Sequence, residues 1–127
     1  MSATAVLQIT TIESLRHQLG DQGGDIVRGL IDLYLVQAAG LVDQISAAGV
    51  AADLEQLRAS AHKLRGSTAT LGGDRLAGVC RQLEDTSPTE LDVGRVTEEL
   101  RRQLAQLAAE LAGYRSTLAA HSSAEAG

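Results

Sequence analysis

The chain contains no phenylalanine and no tryptophan, and its only aromatic side chains are Tyr34 and Tyr114. Without aromatic platforms for stacking bases, and with a net charge of −5 in place of a basic footprint, nucleic acid is excluded as a partner. A single cysteine, Cys80, excludes an internal disulfide; flanked at helical spacing by Leu76, Val79 and Leu83, it is expected to be a packed thiol. No apolar run approaches the roughly 20 residues that cross a bilayer. The first residues lack the basic start and apolar centre of a signal peptide, so a cytoplasmic protein without a membrane partner is expected. No histidine has a glutamate three residues before it, which removes the carboxylate–histidine pattern of bundle metal sites. No Gly-rich loop follows a strand, which removes the usual nucleotide cradle. Neither a metal nor a cofactor is expected on this chain.

What remains is aliphatic and polar. One proline in 127 residues, with abundant Ala, Leu, Gln, Glu and Arg, predicts an all-α chain of one domain. Residues 1–10 read as a loosely held lead-in, 11–118 as a single helical bundle and 119–127 as a flexible tail. Thr10 and Glu13 form a capping-box pattern that opens a short helix carrying Ile12, Leu15 and Leu19. After a Gly-rich turn, a long helix from Ile26 to about Ala48 carries Val27, Leu30, Ile31, Tyr34, Ala38, Leu41, Val42 and Ile45. Its apolar face is wide enough to be contacted on two sides. Gly29 and Gly40 within it either admit close helix contact or are tolerated weak points. The next helix runs to Leu71 and ends at Gly72-Gly73. A shorter one spans Asp74 to about Asp85, with Arg75, Arg81, Gln82 and Glu84 placed outward. Ser87-Pro88-Thr89-Glu90 opens the last helix. That helix carries Val93, Val96, Leu100, Leu104, Leu107, Leu111, Tyr114 and Leu118 as a heptad seam. The expected architecture is an antiparallel up-and-down four-helix bundle with a short extra N-terminal helix.

The stretch from Ala61 to Glu84 holds the candidate chemistry. At about 100° per residue, Leu54, Leu57, Ala61, Leu64, Thr68 and Leu71 share one side of a helix. His62 lies off that stripe, in a sector with Glu55, Arg58, Ala59, Arg65, Gly66 and Ala69, and is expected to face solvent. Its surface neighbours at helical spacing are Ala59, Arg65, Gly66 and Ala69, three of them small. Gly66 costs about 1 kcal/mol relative to alanine in a helix interior. Because it sits opposite the leucine stripe, the reason for it is an outside partner that approaches the imidazole closely. Arg65 adds a charge suited to an anion such as phosphate. His17 and His121 have no comparable neighbourhood.

His62, Leu64, Arg65, Gly66-Ser67, Leu71-Gly72, Leu76, Cys80 and Leu83-Glu84 together resemble the signature of histidine-containing phosphotransfer (HPt) domains of two-component phosphorelays. Arg65 stands where that family usually has lysine, and Thr68 where it has a second serine. The resemblance implies a phosphorelay intermediate and not an enzyme with a nucleotide site of its own. The outer ring nitrogen of His62 would take a phosphoryl group from a receiver-domain aspartate, or from a sensor kinase, and pass it to another receiver. Magnesium would belong to the receiver. Arg65 and Lys63 would meet the phosphoryl oxygens or the receiver's acidic rim, Gly66 would give clearance, and Arg58, Ala59, Lys63 and Ala69 would line the docking surface. The partners implied are response-regulator receiver domains and a sensor histidine kinase, with the chain itself a monomer.

A second class of function is a helical adaptor or oligomerisation module that uses the 93–118 seam, with His62 incidental. The close-approach argument at Gly66 has its own consequence. Gly66→Gln is expected to leave thermal stability unchanged or slightly raised, since it removes a helix penalty of about 1 kcal/mol, while slowing phosphotransfer. Equal transfer rates for the variant and wild type, measured by label transfer, would refute the clearance role.

Overall fold

The computed structural model describes residues 5–85 and 92–126. Their order is α1 (Ile9–Gln18), a 3-10 turn (Gly20–Gln22), α2 (Gly23–Val50), α3 (Leu54–Thr70), α4 (Asp74–Asp85) and α5 (Val93–Ala126). Helix α2 packs on α3, α3 on α4, α4 on α5 and α5 back on α2, which closes a four-helix ring, and α1 lies against α2. The expected bundle is present, and no strand occurs among the described residues.

The core follows from the periodicity. Helix α3 buries Leu57, Ala61, Leu64 and Thr68, the stripe that places His62 on the far side. Helix α2 buries Val27, Ile31, Tyr34, Ala38, Leu41, Val42, Ile45 and Ala48. Its width is not all core, however: Ile26, Leu30, Leu33 and Val36 are exposed. A Cβ at Gly29 or Gly40 would meet nothing within 4 Å, so neither glycine serves a close helix contact within this chain. On α5, Leu100, Leu107, Leu111, Tyr114 and Leu118 are buried, and Val96 and Leu104 pack against the same core. The seam is therefore one wall of the bundle. Val93 begins that helix.

Several ends differ from the sequence-based expectation. Helix α1 starts at Ile9 with Gln8 as its cap residue and no side-chain cap bond, so Thr10 lies inside the helix and caps nothing. Glu13, the other half of that pattern, is drawn elsewhere: its Oε1 accepts from the Tyr114 hydroxyl at 2.8 Å, and its Oε2 pairs with Arg16 at 2.7 Å. The lead-in is not loose where it meets the bundle. Leu7 is buried, and the Gln8 N–H donates to the Gly72 carbonyl at 2.7 Å. Helix α2 begins at Gly23, before Asp25, which sits in its first turn and pairs with Arg28. The backbone of α5 continues as helix to Ala126, past the expected end near residue 118. The Ser87-Pro88-Thr89-Glu90 pattern lies outside the described residues.

The α3–α4 turn requires its glycines. Gly72 has φ +88, a conformation that side chains rarely adopt. A Cβ on Gly73 would come within 2.6 Å of Thr68 Cγ2 and 2.7 Å of Leu107 Cδ2, so α5 presses directly on this turn. At the start of α3, the Asp53 side chain accepts the Gln56 N–H at 3.1 Å and satisfies one of the helix's unpaired donors.

One buried polar pair locks α2 to α3. The Tyr34 hydroxyl and Thr68 Oγ1 are 2.7 Å apart, with Tyr34 3% exposed and Thr68 fully buried. Burial pushes the Tyr34 phenol up to about 12, which keeps it a neutral hydrogen-bonding group. Thr68→Val, which keeps the shape and removes the hydroxyl, is expected to cost about 1–3 kcal/mol by leaving the tyrosine oxygen unpaired. The double change Tyr34→Phe with Thr68→Val should recover most of that loss. Denaturant midpoints of the single and double variants measure the coupling; additive losses would show that the pair contributes nothing.

Candidate functional site

Helix α3 presents His62 outward because Ala61 and Leu64 on either side point into the core. The His62 side chain is 69% exposed. Along the same exposed strip lie Ala59, Lys63, Gly66 and Ala69, with Arg58 and Arg65 half-buried at its edges. A Cβ at Gly66 would meet nothing within 4 Å. The space beside the imidazole is open, and no neighbour of this chain requires a glycine there.

The structure adds a residue that the helix wheel placed outward. Glu84 belongs to α4, whose inward side is Leu76, Ala77, Cys80 and Leu83. One step past Leu83 it sits on the flank that abuts α3, and its side chain is only 17% exposed. Its Oε1 lies 2.8 Å from His62 Nδ1, and its Oε2 lies 2.8 Å from Arg65 Nε. The Arg65 contact is an ion pair too bent to count as a hydrogen bond, since Oε2 has no aligned donor. Arg65 Nη2 also lies 3.5 Å from Oε1. Sequence reasoning found Glu84 as part of the motif but gave it no task; the signal that marks it is a carboxylate on a helix flank next to a facing histidine and arginine.

These contacts decide the tautomer. Arg65 Nη2 is 2.9 Å from His62 Nδ1 and carries only protons to donate, whereas Glu84 Oε1 at 2.8 Å can only accept. A single Nδ1 cannot be both proton donor to one and acceptor from the other. A carboxylate facing a bare nitrogen lone pair at that distance would be repulsive, and the guanidinium already has Glu84 as its ionic partner. On that ground we assign the proton to Nδ1, donated to Glu84. The unprotonated nitrogen is Nε2, the outer one, and its lone pair points to solvent. A carboxylate behind one ring nitrogen fixes the ring orientation.

Arg65 is accordingly engaged within the chain, 29% exposed and paired with Glu84. The remaining features of the site are open. A shallow groove of about 390 Å³ runs beside His62 between α3 and α4, lined by Arg65, Gly66, Ala69, Gly78 and Arg81 among others. Cys80, on the inward side of α4, is fully buried, with its thiol pushed up by burial to about 12, so it is no nucleophile. His17, 73% exposed and 3.9 Å from Glu13, has no such setting. Among the described residues no three His, Cys, Asp or Glu side chains gather as a metal set.

The family model of the Hpt domain matches residues 29–112. No curated protein matches the chain. The crystal structure of histidine-containing phosphotransfer protein B (HptB) from Pseudomonas aeruginosa PAO1 superposes with a TM-score of 0.79 at 22% identity, covering 91% of this chain and 98% of that one. The likeness to HptB is one of fold.

The tautomer assignment is open to measurement. Nitrogen-15 spectra at a pH where the imidazole is neutral should show His62 protonated at Nδ1 in wild type. In Glu84→Ala the proton is expected to move to Nε2, the form that free imidazole side chains favour, with Nδ1 then accepting from Arg65. An unchanged spectrum would show that Glu84 does not hold the ring.

Proposed function

The chain belongs to the Hpt domain family and has a phosphorelay histidine-phosphotransfer role, and on that premise we propose that His62 is its phosphoacceptor. The observation that carries this reading is the exposed imidazole whose Nδ1 is held by half-buried Glu84, which leaves Nε2 free and outward.

The chemistry follows from that arrangement. The Nε2 lone pair attacks the phosphorus of an acyl phosphate on a receiver aspartate. An N–P bond forms, the P–O bond to the aspartate breaks, and the electron pair leaves with the aspartate carboxylate. The ring gains positive charge in this step, and the Glu84 carboxylate already faces the Nδ1–H that must bear it. Arg65 pairs with Glu84 and keeps it aimed, which makes Arg65 a positioning residue in this state. Return of the group to a second receiver is the same step reversed, with Nε2 as the leaving atom.

Little else is required of this chain. Hpt domains are phosphotransfer carriers that work with receiver domains and kinases. Magnesium, on this reading, is held by the receiver, where it draws charge from the phosphoryl oxygens. The docking surface is the exposed strip of α3: Ala59, Lys63, Gly66 and Ala69, with Arg58 at its edge. We propose that the protein acts as a cytoplasmic monomer, a reading supported by the inward packing of the α5 seam. No helix among the described residues is long and apolar enough to cross a membrane.

The decisive comparison is between wild type and His62→Gln after incubation with phosphorylated receiver domains. Wild type should take up acid-labile, base-stable label, and His62→Gln should take up none while melting at an unchanged temperature, since the side chain is exposed. Label retained in His62→Gln would move the acceptor elsewhere. An absence of label in both, with folded wild type running as a stable dimer, would favour the adaptor role instead.

A further inference from the structure

The carrier reading leaves one charge unexplained. A phosphoryl group on His62 Nε2 brings negative charge next to Glu84, and Arg65, the cation one helical turn from His62, is already committed to that carboxylate, while Lys63 is on the solvent side of α3. If Arg65 swung out to the phosphoryl oxygens, Glu84, only 17% exposed, would keep the Nδ1–H of His62 but lose its arginine, and a desolvated carboxylate that loses its counter-charge is costly. A second cation is needed, and α4 supplies one.

Arg81 lies one turn before Glu84 on α4, at a spacing that puts the two on the same side of the helix. It is exposed, it makes no ion pair among the described residues, and it lines the same groove as His62. Gly66, Ala69, Ala77 and Gly78 are the other groove residues at this level, and a Cβ at either glycine would meet nothing within 4 Å. The charged groups around the groove are Arg65 on α3 and Asp74, Arg81 and Glu84 on α4, with Lys63 on the solvent side of α3. Asp74 stands at the start of α4, two turns from Arg81, so Arg81 is the groove cation without a carboxylate of its own.

We propose that Arg81 is the residue that meets the phosphoryl oxygens on His62, while Arg65 stays on Glu84. The inference rests on His62 being the acceptor. Its planar guanidinium can take two phosphoryl oxygens at once, a geometry that a single ammonium does not offer. The division of labour explains why two arginines flank one histidine: one orients the ring through Glu84, and the other receives the anion.

The test uses the full chain phosphorylated with phosphoramidate, which transfers its phosphoryl group to imidazoles and releases ammonia without any receiver. Phosphorus-31 spectra then follow the titration of the phosphoryl group on His62. A cation in contact favours the dianion, so Arg81→Ala should move the titration midpoint upward by about one pH unit. Arg81→Glu should move it further, and Arg81→Lys should restore part of the shift. Arg65→Ala should move it less than Arg81→Ala. An unmoved midpoint in Arg81→Ala, or a larger shift in Arg65→Ala, overturns the assignment and returns the phosphoryl contact to Arg65. Wild type that takes no label on a folded protein removes the acceptor role of His62 and this inference with it. Label on wild type with no effect of Arg81 refutes this inference alone. Because Arg81 is exposed, all three substitutions at this position should leave the melting temperature near that of wild type.

Discussion

A carboxylate that is mostly withdrawn from water has to be met by charge or by protons, and Glu84 can be met only from across the α3–α4 contact. Its two oxygens face His62 Nδ1 and Arg65 Nε, both at 2.8 Å. That requirement sets the ring orientation, the tautomer and the resting place of Arg65 together. It also requires α3 and α4 to hold a register within a fraction of an ångström, because a shift of one residue would rotate Glu84 away from the histidine. The site is therefore as precise as the packing beneath it.

That packing is built for the purpose. The Tyr34–Thr68 hydrogen bond ties α2 to α3 one and a half turns beyond His62. Gly72 turns the chain with a positive φ, and Gly73 lets Leu107 of α5 press against the turn, so α4 returns along α3 at close range. Gln8 closes the same end by donating to the Gly72 carbonyl, and Tyr114 reaches Glu13 to hold α1 in place. Bidentate contact of Arg115 with Asp32, at 2.8 and 2.9 Å, links α5 to α2 on the outside. Exposed pairs of this kind contribute little to stability; the buried apolar contacts and the constrained turn carry the register.

The division between orienting and accepting charge gives the open groove its meaning. Small residues at Gly66, Ala69, Ala77 and Gly78 keep bulk out of the groove that His62 and Arg81 line, while Glu84 holds one nitrogen of the ring. A nucleophile that must both take and release a group benefits from this asymmetry: one ring nitrogen is held, and the other faces space that a partner can enter.

Much of this was legible in the residues. The 3.6-residue period of Leu57, Ala61, Leu64 and Thr68 determines that His62 faces out, because one helix cannot bury both sectors, and the regular spacing on α5 determines that its seam is buried somewhere. Periodicity could not say what the polar flanks do. Glu13 looked like half of a capping box and proved to be the acceptor for Tyr114, which is 101 residues away. Thr68 and Tyr34 each read as core positions, with nothing in either segment to pair their hydroxyls. Glu84 read as solvent-facing because a helical wheel knows only its own helix, and a flank is exposed or buried according to which neighbour lies against it. The sequence by itself determined the helices, their buried faces and the outward histidine, since these follow from local period and composition. Only the tertiary structure decided which carboxylate stands behind that histidine and which arginine remains free to meet an anion, since both depend on the register between two helices that no single segment encodes.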